Sequence, residues 1–81
     1  MGSNQLLGTA SHLSNSSKNL ILKTESKTAI GDAVLDNAGK RIGTVFDLFG
    51  PVSNPFVAVR PEIDDPERYI GEPLFLRIRR R

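Results

Sequence analysis

Arg41-Ile42-Gly43-Thr44-Val45-Phe46-Asp47-Leu48-Phe49-Gly50-Pro51-Val52, followed by Ser53-Asn54-Pro55 and the run Phe56-Val57-Ala58-Val59, decides how the chain folds. β-Branched and aromatic residues dominate both runs, and Gly or Pro flanks each. The stretch therefore reads as two extended segments joined by a loop with a proline near each end. Strand period is two, so one face of the first segment shows Ile42, Thr44, Phe46 and Leu48 and the other Gly43, Val45, Asp47 and Phe49. Both faces are largely apolar, whereas an antiparallel strand with one wet face alternates apolar and polar residues. A small domain has one core, so the second apolar face is expected to be buried by a partner or by another part of the chain. Gly43 suits tight interior packing, which assigns Val45 and Phe49 to the core and points Phe46 and Leu48 outward; the opposite assignment stays open.

Working outward, Gln5 to Leu13 reads as a first strand, with Gly8 as a bulge or a point of close approach. Ser14–Ser17 is a turn, Asn19 to Thr24 a second strand, and Ala33-Val34-Leu35 a third. Asp36-Asn37-Ala38-Gly39 is a hairpin turn in which Asn37 or Gly39 can take positive φ. Pro61 ends the strand that starts at Phe56, because proline cannot donate to a ladder. Residues 62–68 form an acidic loop, Tyr69 to Pro73 turns the chain back, and Leu74 to Arg79 is the last strand. No segment carries a helical apolar stripe. The fold class is all-β, a small sandwich or barrel, and closure into a barrel removes the edges that a two-sided apolar strand would expose. Residues 1–5 read as a disordered or expression-derived start, 6–79 as a single domain and 80–81 as a basic end.

With 81 residues, such a chain buries only about 60–65% of its unfolded surface, so the core is thin. There is no cysteine, hence no disulfide framework or thiolate zinc site. No apolar run nears the ~20 residues that span a bilayer, and no signal peptide is visible, which together predict a cytoplasmic protein. Eleven basic and 9 acidic residues give a net charge of +2, with an acidic stretch at 62–72 beside the basic run Arg77, Arg79, Arg80 and Arg81. That run reads as a solvated end or as a set of phosphate contacts; Phe75 is the only nearby ring on which a base could stack. Catalytic chemistry is not legible. His12 is the sole histidine, Asp64 and Asp65 point apart if extended, and the glycines are too scattered to cradle a phosphate. The expectation is a protein that is not an enzyme, with no metal or other cofactor and no dedicated RNA-binding residue.

Residues 42–60 and Tyr69-Ile70-Gly71-Glu72-Pro73-Leu74-Phe75-Leu76, with Leu7-Gly8 through His12 at the start, resemble the archaeal Gar-family accessory subunits of H/ACA ribonucleoproteins. The resemblance implies a six-stranded antiparallel β-barrel of the translation-elongation-factor domain type. It also implies a non-catalytic subunit that docks on the catalytic domain of a dyskerin-like pseudouridine synthase and aids the loading and release of substrate RNA in rRNA processing. Guide and substrate RNA would be met only through the complex. The expected docking residues are Phe46, Leu48, Phe49, Gly50, Pro51, Val52, Phe56, Tyr69 and Ile70, and the same face would let the isolated protein form a homodimer. Gly39 to Asp47 also resembles the PRC-barrel pattern, which implies a protein-binding module in ribosomal RNA maturation. A small barrel that binds RNA directly is a third reading, disfavoured by the weak interleaving of aromatic and basic residues.

Overall fold

The computed structural model describes residues 4–15, 18–24, 28–51, 53 and 55–77. Six strands follow one another in the chain: β1 (Asn4–Leu13), β2 (Leu20–Lys23), β3 (Ala33–Leu35), β4 (Arg41–Phe49), β5 (Phe56–Pro61) and β6 (Pro73–Arg77). They close into a barrel in the order β1-β2-β5-β4-β3-β6, with every neighbouring pair antiparallel. The stretch expected to be an acidic loop contains one 3₁₀ turn, Pro66–Tyr69.

The barrel is filled by Leu7, Ala10, Leu20, Leu22, Val34, Ile42, Val45, Val57, Val59, Leu74 and Leu76, with the Tyr69 ring closing one end. These are mostly β-branched or leucine side chains at alternate positions, the residue types and period that a pleated, half-buried surface selects. Leu20 pairs with Val59 and Leu22 with Val57, so inward residues of β2 and β5 meet in register. Ile21 and Ala58 lie between them on the outer face, yet are nearly as buried as the core.

A barrel this narrow brings strand backbones close together, and two glycines make room. Gly8 sits at a register shift between β1 and β6, and a Cβ there would strike the carbonyl oxygen of Lys23. Gly43 is in the same position against the carbonyl oxygen of Arg60 on β5. The β3–β4 turn is shaped by Asp36, whose Oδ1 accepts the N–H groups of Ala38 and Lys40, while Gly39 takes φ +85°.

One irregularity changes the facing of β4. Val45 pairs with Val59 but Asp47 pairs with Ala58, so Phe46 is an extra residue, a β-bulge. A second register shift, between Val34 and Leu35, turns Ile42 inward next to Val45. The simple alternation expected for 42–49 therefore fails at both ends. Ile42 is in the core, and Phe49, assigned to the core from the sequence, is exposed. Val45 is inside and Phe46 outside, as expected.

Replacing Gly43 with alanine should lower stability by about 2 kcal/mol, because β4 or β5 must shift to admit the methyl group. Urea unfolding measures this; an unchanged midpoint would mean that the strands are not held so close.

Candidate functional site

β4 is flanked by β3 only as far as Thr44, which pairs with Ala33. One residue further, Val45 donates its N–H to the Asp32 carbonyl (2.9 Å) and accepts the Gly31 N–H (2.8 Å). From Phe46 to Phe49 the strand pairs with β5 alone among the described residues. The end of the β4–β5 hairpin is thus a two-stranded lip on the barrel.

The bulge governs what this lip displays. It turns Asp47 to the same outer side as Phe46, and Phe49 follows two residues later. Phe46 is 52% exposed and Phe49 44%. The Phe49 ring stacks on Phe56 of β5, with centroids 5.8 Å apart and planes at 21°. Gly50, with φ +95°, brings the turn against the Phe56 ring. Leu48 pairs with Val57, an inward residue, but it lies at the open mouth of the barrel and is 36% exposed. Pro51 is exposed at the tip, and Val52 lies outside the described residues. Ile30, an exposed apolar residue that the sequence reading did not single out, joins this region: the Gly31 bond to Val45 sets its turn beside the bulge. Its only signal in the sequence is a lone isoleucine ahead of Gly31-Asp32 in a polar connection.

The expected pairing of this lip with Tyr69 and Ile70 does not occur. Tyr69 is 8% exposed, part of the core cluster, and its hydroxyl donates to Asp36 Oδ2 at 2.8 Å. Asp36 leads into the start of β4, so Tyr69 sits at the opposite end of that strand from the hairpin lip. Ile70 is exposed there, beside Gly71, whose N–H bonds to the Ala10 carbonyl. Tyr69 ties the 3₁₀ turn to the β3–β4 turn, with the Arg68 guanidinium 5.5 Å from its ring centroid.

The electrostatics of that tie are self-consistent. Burial pushes the Asp36 carboxyl up, but the Lys40 amide, the Tyr69 hydroxyl and the Ala38 amide, together with the Lys40 charge, hold it below its ordinary 3.8. Burial and then the Asp36 hydrogen bond and charge push the Tyr69 phenol above its ordinary 10.0, against the opposing charge of Arg68. Asp36 thus stays an acceptor and Tyr69 a donor across the neutral range.

His12 is exposed on β1, with Nδ1 3.2 Å from the Ser11 hydroxyl. Asp64 and Asp65 are exposed, Asp65 facing Arg68 at 3.8 Å. No three His, Cys, Asp or Glu side chains there come together to hold a metal, and no helix is long and apolar enough to cross a membrane. Arg77 is exposed, while Arg79, Arg80 and Arg81 lie outside the described residues.

Tyr69→Phe should cost about 1 kcal/mol of stability near neutral pH, the net value of one hydrogen bond. Because the folded-state pKa of Asp36 is depressed, its share of stability is present above 3.8 and is lost as pH falls through the folded value. The gap between wild type and variant should therefore shrink on acidification below 3.8. Chemical unfolding across a pH series tests this; a gap that persists undiminished in acid would contradict the assigned bond.

The chain is 36% identical over 77 residues to an uncharacterized protein of Methanothermobacter thermautotrophicus, a match that takes in 90% of this chain and 83% of that protein. Among solved structures it resembles the Gar1 domain of NAf1, with a TM-score of 0.73 at 18% identity, over 95% of this chain and 86% of that one. No model of a known protein family matches. The six-stranded closed barrel is accordingly a Gar1-domain-like fold.

Proposed function

We propose that this chain, which belongs to one family with the Methanothermobacter thermautotrophicus protein, is a non-catalytic accessory subunit of an H/ACA-type RNA-guided pseudouridine synthase. It docks on the catalytic domain of the dyskerin-like synthase and aids the loading and release of substrate RNA in rRNA processing. The Gar1-like barrel and the Phe-Gly-Pro-Val and Tyr-Ile-Gly-Glu stretches support the assignment to this machinery. The observation that carries the docking role is the exposed aromatic lip of the β4–β5 hairpin.

The physical case is one of cost. Keeping Phe46 and Phe49 half in water gives up roughly 1–2 kcal/mol per ring that burial would return. Phe46 follows inward Val45 and faces out by alternation alone, but Phe49 is outside because the bulge turns it there. A bulge that re-aims an aromatic side chain next to an open strand edge is the kind of local exception that marks a binding site. Rigid aromatic anchors on a two-stranded lip lose little side-chain entropy on docking. An interface of ordinary size needs roughly 800 Å² from each partner, and Phe46, Leu48, Phe49, Gly50, Pro51 and Phe56 provide its centre. RNA is reached through the synthase; among the described residues, the lip carries no arginine or lysine.

Titration calorimetry of the purified protein with the synthase of the same organism, without RNA, tests this reading. The wild type should bind, and Phe46→Asp, a change at an exposed site that leaves the core intact, should weaken binding by roughly 30-fold or more. A wild type that ignores the synthase but binds guide RNA with a steep salt dependence would overturn the assignment. Binding to a ribosomal protein in its place would favour a PRC-like module.

A further inference from the structure

Two features of the hairpin lip restrict the kind of surface it can receive. The first is a blunted edge. Residues 46–49 have β5 on one side and no strand on the other among the described residues. An open edge of this kind is a template for strand addition. Here the bulge at Phe46 twists the edge, and Asp47 Oδ1 already accepts the N–H of Leu48 at 2.8 Å. An incoming strand would have to break that bond and then lie against the carboxylate.

The second feature is a charge that forms no ion pair among the described residues. Asp47 is exposed on the outer face between Phe46 and Phe49, and its partner across the ladder is Ala58, whose methyl group offers nothing polar. The ion pairs among the described residues, Arg41–Glu62 and Arg68–Asp65, do not involve it. Covering the aromatic lip with a purely apolar surface would strip water from this carboxylate, and one backbone N–H does not offset the loss. Among the described residues the lip itself, 46–51, carries this one charge, and the exposed cations flanking it are Arg60, two residues along β5 from Ala58, and Lys23, opposite Phe56 on β2.

The geometry points to a partner surface that meets this lip side chain to side chain, not as an added strand: an apolar face bearing one lysine or arginine that pairs with Asp47. Phe46 and Phe49 are the apolar anchors on either side of that cation. The charge pair fixes the orientation of docking, because an apolar contact on its own is non-directional. This deepens, and rests on, the reading of the lip as the synthase-docking surface.

Asp47→Asn isolates the charge, since asparagine keeps the side-chain oxygen that accepts the Leu48 N–H. Calorimetry with the synthase is run on wild type, Asp47→Asn and Asp47→Lys at low and high salt, with circular dichroism confirming that each is folded. The asparagine variant should bind about tenfold more weakly, and lysine more weakly still. The salt dependence of wild-type binding should fall in the asparagine variant. Equal affinities for wild type and Asp47→Asn, or tighter binding by Asp47→Lys, would overturn the cationic partner while leaving the docking site in place. A wild type that does not bind would overturn both.

Discussion

Closing six short strands around a core this thin forces backbones together where they cross, and most of the molecule follows from that. Gly43 lets β4 lie against the Arg60 carbonyl of β5, and Gly8 lets β1 lie against Lys23 of β2. Once β4 is pinned at Gly43, its far end must leave the barrel, because β3 is three residues long and β4 is nine. The overhang is the lip. The bulge at Phe46 then sets which side chains the overhang shows, and it shows aromatic ones. Fold and candidate site are thus consequences of one crossing geometry.

The two ends of β4 have been given different tasks. At its start the polar groups are satisfied internally: Asp36 collects two backbone amides and the Tyr69 hydroxyl, and Arg41 pairs with Glu62 at 3.1 Å. At its other end, Asp47 satisfies one amide and, among the described residues, forms no ion pair. The first arrangement is what a fold needs to lock a turn in place. The second costs the isolated protein exposed apolar surface and gains it nothing unless something covers the lip.

Much of the strand order along the chain was legible in the sequence, because the signals were local. Pro51, Pro55 and Pro61 bound the hairpin, Asp36 to Gly39 spells a turn, and Leu20, Leu22, Val57 and Val59 alternate as core residues do. The bulge was not legible. Phe46-Asp47 contains no glycine and nothing else that marks an inserted residue, so simple alternation put Phe49 inside and made the facing of Ile42 uncertain. The burial of Tyr69 was illegible for a different reason. A tyrosine next to an isoleucine in a turn looks like surface, and only the fold brings Asp36 within 2.8 Å of its hydroxyl across 33 residues of chain. Ile30 was overlooked because its neighbours are close in space through Val45 and not close in sequence.

The most direct test of the account is to map the surface of the isotopically labelled barrel by amide and methyl NMR as the synthase catalytic domain is added. The account predicts that perturbations concentrate on residues 46–51 and on Phe56, with a smaller effect at Ile30, and leave the Asp36–Tyr69 corner unchanged. Perturbations centred on that corner, or on β1 and β6 with the lip untouched, would contradict it.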